Sequence, residues 1–198
     1  MALRARRGNQ AALVSLLLAA CGGGPQPADW QMNAAQAMQA YERLYFAGHT
    51  DAAEREFLEV KSQLGRTGRA DLLARAELRR CAVRAAALEF DECPAFERLR
   101  SEAGKEEAAY AEYLLGKGAH KAGEEPVSRL VAAAVDLRKG SINPAQITQA
   151  VDTASAQGWR RPLLAWLGVQ LKRAEAAGDS ETAARVKRRM ELVSGPGS

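Results

Sequence analysis

No GxSxG, HExxH or GxxxxGKS/T motif occurs in this chain, so three common catalytic or phosphate-binding arrangements are absent. Only two histidines are present, His49 and His120, and neither has ligand-like spacing to a cysteine, which excludes the usual zinc sites. Aromatic residues make up 6% of the chain, and alternating β-branched runs are missing after Asp29, where alanine is abundant. That pattern excludes a sheet protein. What is present is 198 residues with 47% hydrophobic side chains, enough apolar material for one packed domain and too much for a wholly disordered chain.

The first 21 residues read MALRARRGNQAALVSLLLAAC. Arg4, Arg6 and Arg7 precede an apolar run from Ala11 to Ala20 in which Ser15 is the only polar member. The run falls short of the roughly 20 residues a membrane-spanning helix needs. It fits the h-region of a secretory signal, about 7–15 residues. The segment closes on Leu18-Ala19-Ala20-Cys21, which resembles the lipobox of bacterial lipoprotein precursors. The resemblance implies that 1–20 is a cleaved signal peptide and that the Cys21 thiol carries diacylglycerol, with a further acyl chain on its new amino group. No other cofactor is expected. Gly22 stands where an aspartate usually retains Gram-negative lipoproteins in the inner membrane, so the resemblance implies an outer-membrane anchor with the chain facing the periplasm. Positions 21–29 then form a lipidated, flexible tether. At about 0.8 kcal/mol per buried methylene, two or three acyl chains make attachment effectively permanent.

Without the three leader arginines, 25 of the 28 basic side chains remain against 24 acidic ones. So even a balance argues against non-specific nucleic-acid binding.

The mature chain reads as a run of helices over 30–193, with a loose tail at 194–198. Ala37, Ala40, Tyr41, Leu44 and Tyr45 make one apolar face of a helix over 30–47, ended by Gly48. Thr50 or Asp51 is the expected cap of a second helix, with Ala53, Phe57, Val60 and Leu64 as its stripe and Gly65 at its end. A third helix is expected over 69–89, a fourth from Pro94 to about 102 and a fifth over 104–116. A sixth covers 126–138. The seventh starts at Asn143-Pro144, where Asn caps and Pro takes the first helical position. The eighth is expected to open at Pro162, and the ninth after Gly178-Asp179-Ser180.

Short connections between amphipathic helices imply antiparallel hairpins. Two of them share finer spacing: Gly48 precedes Ala53 by five residues and Phe57 by nine, and Gly178 precedes Ala183 by five. Over 33–64 and 164–193 this resembles the tetratricopeptide repeat, although Ala37, Tyr41 and Lys187 depart from that repeat's pattern. The resemblance implies an all-α array of stacked hairpins; a closed helical bundle is the alternative.

Two cysteines remain after lipidation, Cys81 and Cys93. Export to an oxidising compartment favours a disulfide between them. A third helix running straight to Glu89 opposes it, because Cys81 then lies about 12 Å along the axis from the helix end. A disulfide and two small buried thiols both stay open. His49 and His120 fall in turns and read as solvated.

The segment GWRRPLLAWLG at 158–168 is unusual for its indoles and guanidiniums. Trp159, Arg160, Arg161 and Trp166 form a candidate partner-binding surface, since Trp and Arg dominate interface hot spots. Structural packing of both tryptophans is the favoured alternative. Tyr41 and Tyr45 likewise read as core. With no catalytic constellation in view, the expected function is a non-catalytic scaffold binding an envelope protein partner. A cell-wall enzyme or accessory factor, and a small-ligand carrier, are the alternatives.

Overall fold

The computed structural model describes residues 27–195. The readings of the leader 1–20, of Cys21 and Gly22, and of residues 196–198 lie outside the described residues. Within them the fold is all-α, with no strand. The helices are α1 (Asp29–Ala47), α2 (Thr50–Gly65), α3 (Ala70–Ala86), α4 (Pro94–Glu97), α5 (Lys105–Leu114), α6 (Pro126–Arg138), α7 (Pro144–Ala156), α8 (Arg160–Ala176) and α9 (Ser180–Ser194). A 3-10 turn covers Arg100–Glu102.

Local chemistry accounts for most boundaries. Asn143 Oδ1 accepts from the Gln146 amide at 3.0 Å while Gln146 Oε1 accepts from the Asn143 amide at 2.9 Å, a reciprocal cap on α7. Asp179 Oδ1 accepts from the Thr182 amide at 2.9 Å and starts α9. Gly48, at φ 97°, ends α1 in a left-handed turn whose amides return to Tyr45 and Leu44.

Three differences from the expected boundaries have a clear physical reason or consequence. The helix α8 begins at Arg160, two residues before Pro162, because the amides of a first helical turn have no intrahelical partner and Pro is tolerated there. The helix expected over 94–102 is a single turn followed by the 3-10 turn. Most consequential, α3 stops at Ala86 rather than Glu89. Leu88 takes φ 61°, its amide donates to Ala85 O at 2.8 Å, and the Glu89 amide donates to Arg84 O at 3.0 Å. This is the same left-handed closure as at Gly48, made by a residue for which that conformation costs about 1–2 kcal/mol. Packing of Leu88 against the core offsets the cost.

The early turn folds the chain back along α3. Asp91 Oδ1 accepts the Cys93 amide at 2.9 Å, and Cys93 itself sits at φ 48°. The Cys81 and Cys93 Cα atoms come to 5.8 Å and the sulfurs are bonded. The geometric objection to the disulfide therefore disappears, since the straight helix to Glu89 does not form.

Helix α3 is central. It packs against α2, α4, α5 and α6, while α6–α7, α7–α8 and α8–α9 follow as successive neighbours. Helix α1 pairs with α2 and also meets α8. An aromatic group fills that junction. Tyr41 lies 5.3 Å from Phe57, centroid to centroid, and Phe46 lies 4.5 Å from Trp159. Tyr41 and Tyr45 are buried, as expected for core residues, and burial pushes both hydroxyls well above the usual tyrosine range. Ala53 and Ala183 are buried at the start of the return helices. A residue this small lets two helix axes approach closely.

Candidate functional site

The four residues of the GWRRPLLAWLG segment do not share one surface. Trp166 has 0% exposure and donates its indole N–H to Ala86 O at 3.1 Å, so it is a core residue anchoring α8 to the end of α3 and not part of a partner surface. Arg161, a candidate for the partner surface, has a side chain only 20% exposed and held by two of its three guanidinium nitrogens. It donates to Glu89 Oε1 at 2.8 Å and to the Thr50 hydroxyl, and its guanidinium lies 4.1 Å from the Tyr45 ring centroid. Thr50, expected to cap α2, instead serves as this acceptor; the residue preceding α2 is His49, which makes no side-chain cap. Arg160 is exposed and donates to Ser194 O at 2.6 Å. Trp159 is half-buried, packed on Phe46 of α1.

Arg161 and Arg160 consequently have different expected costs. Arg161→Ala removes charge-assisted bonds across α2, α8 and the α3–α4 corner and should destabilise the fold by about 1–3 kcal/mol. Arg160→Ala should stay within about 0.5 kcal/mol. Urea denaturation of the two variants distinguishes them, and equal stabilities would refute the assignment.

Burial alone raises the pKa of Glu89, but the hydrogen bond from Arg161 and the charges of Arg161 and Arg84 outweigh it and hold the carboxyl below the usual carboxylate range. A depressed pKa in the folded state adds stability above the ordinary carboxylate pKa, and that stability is lost as the pH falls through the folded value. The stability difference between wild type and Glu89→Gln should therefore be largest near pH 7 and shrink by pH 3. A difference that grows on acidification would contradict the ion pair.

Several surface clefts among the described residues reach the size of small-molecule sites, and the one with the most apolar lining is an open cleft of about 540 Å³. Leu78, Ala82 and Val83 of α3 and Val127 of α6 give it apolar surface. Tyr110 of α5 and His120 of the following loop contribute rings in edge contact, with centroids 4.8 Å apart, and Trp159 contributes another ring beside α1. Burial, with the charge of Tyr113 adding to it, pushes the Tyr110 hydroxyl up to about 12, so it is a neutral hydrogen-bonding group at pH 7.

No family model, curated protein or solved structure matches this chain. What the cleft does is therefore read from its own chemistry. Its arginines are tied to its walls: Arg75 reaches Glu107 at 2.6 Å and Arg79 bonds Glu42 on α1. Glu107 is held below the usual carboxylate range by its own backbone amide and then by Arg75. The same direction holds at Asp71, Glu89, Glu97 and Asp179. General-acid chemistry near neutral pH needs the opposite shift.

Of the sequence candidates, only Trp159 lines the cleft. His120 is exposed as expected, yet it faces Tyr110 and Tyr113 rather than solvent alone. Lining residues run from position 42 to position 159, so no local motif could have announced them. The glycine-rich stretch 116–123 was the one available signal, because it carries His120 over the rings of α5.

Cys81, Asp91 and Cys93 also place three ligand-type atoms within 4.8 Å of one another. The disulfide engages both sulfurs, and Arg84 lies 3.4 Å from Asp91, so the group reads as a structural corner.

Proposed function

We propose that the chain is an outer-membrane lipoprotein, anchored through acylated Cys21 and facing the periplasm, that binds a small ligand non-catalytically in the cleft bordered by α1, α3, α5 and α6. The observation that carries this reading is the cleft itself: about 540 Å³, with apolar surface from α3 and α6 and rings from Tyr110 and Trp159. Among the described residues no helix is long and apolar enough to cross a membrane, and the proposed anchor rests on the Leu18–Cys21 lipobox alone.

A scaffold for an envelope protein is the second reading. The tetratricopeptide-like hairpins favour it, because Ala53 and Ala183 are buried at corresponding places after Gly48 and Gly178. Stacked hairpins of that kind present surfaces suited to extended partners.

Native mass spectrometry of the full chain, extracted gently from its membrane, tests the ligand reading. A small-molecule adduct is expected on the wild type and should be lost in Val127→Trp, which fills the cleft from a half-buried position. Absence of any adduct, or an adduct that persists in the variant, would overturn it.

A further inference from the structure

The charges around the cleft are unbalanced. Its two arginines are already neutralised by Glu107 and Glu42. Glu106 and Glu125 line it as well, and among the described residues neither side chain makes an ion pair or hydrogen bond. Glu125 feels the charge of Arg79 without pairing to it. Two negative charges are thus in surplus in the lining of an open, largely apolar cleft. Glu106 stands in the first turn of α5 and Glu125 immediately precedes α6. An anion entering this space meets like charge. A cation meets two free carboxylates and the aromatic rings of Tyr110 and Trp159 in the lining, and such rings attract positive charge at their faces.

We infer that the cleft is selective for a small organic cation, an ammonium or guanidinium group carried on an apolar body. The inference rests on the ligand-binding reading above and adds the chemical class. The apolar body occupies the space over Leu78, Ala82, Val83 and Val127, and the cationic head stays beside the exposed Glu106 and Glu125. Because those two carboxylates are exposed, their contribution is modest and falls with ionic strength.

Calorimetric titration of the full chain in a neutral detergent tests this with three probes that share one apolar body: 2-phenylethylamine, 2-phenylethanol and 3-phenylpropionate. At low salt the amine should bind about tenfold more tightly than the alcohol, with the carboxylate weakest. Combining Glu106→Gln with Glu125→Gln should abolish the preference, and added salt should shrink it. Equal binding of all three probes, blocked by Val127→Trp, overturns the charge selectivity and leaves the ligand reading standing. If no probe binds, the adduct on the natively purified protein decides: a cationic one supports the inference, a neutral or anionic one overturns it, and no adduct overturns both.

Discussion

Replacing Trp166 with Ala should destabilise the fold by about 3–5 kcal/mol, the usual cost of deleting a fully buried aromatic side chain. Trp166 has 0% exposure, on α8, and its indole N–H satisfies Ala86 O at the last turn of α3. The substitution therefore opens a cavity and strands a buried carbonyl. Trp166→Phe retains most of the ring volume and should lose only about 1–3 kcal/mol, the penalty for leaving the carbonyl unpaired. Equilibrium urea denaturation followed by circular dichroism measures both. A loss below about 1 kcal/mol for the alanine variant would mean that α8 does not dock on α3 through this residue.

The second large effect belongs to the Cys81–Cys93 bond. Their separation of 12 residues closes a short loop, worth about 3 kcal/mol in the chain-entropy account. The bond also fixes the corner from which Glu89 reaches Arg161 on α8. Reductant should therefore shift the wild-type denaturation midpoint downward and leave a Cys81→Ser, Cys93→Ser double variant unmoved. Identical wild-type curves with and without reductant, together with thiol labelling of the native protein, would show two free cysteines instead.

Helix positions were legible in the sequence wherever a boundary is set by local chemistry. Asn143-Pro144 and Gly48 satisfy backbone groups through their own side chain or backbone freedom and are used as read, and the ninth helix starts after Gly178-Asp179 as expected, with Asp179 as its cap. Leu88 shows where that legibility ends. No glycine marks the left-handed turn that stops α3, because the turn is held by packing of Leu88 and by contacts from residues far along the chain. The disulfide was undecidable from sequence for the same reason: its geometry depends on a stop signal that is tertiary. Pro162 misplaced the start of α8 by two residues, since proline is permitted throughout a first helical turn and does not have to open it.

The GWRRPLLAWLG segment was singled out for its composition, and composition does not distinguish an interface anchor from a core anchor. Trp166 and Arg161 hold α8 to α3, α2 and α1, while Trp159 borders the cleft. The cleft's charge pattern was invisible for another reason. Glu106 and Glu125 resemble any other carboxylate on a solvated helix until the fold shows that the neighbouring Arg75 and Arg79 are already taken.

The most direct test of the account is a crystal structure of the full chain purified from its own membrane without ligand exchange. The account predicts continuous density for an organic molecule lying over Leu78 and Val83, with a basic group near Glu106 and Glu125. A cleft holding only ordered water, with bound material elsewhere on the protein, would contradict it.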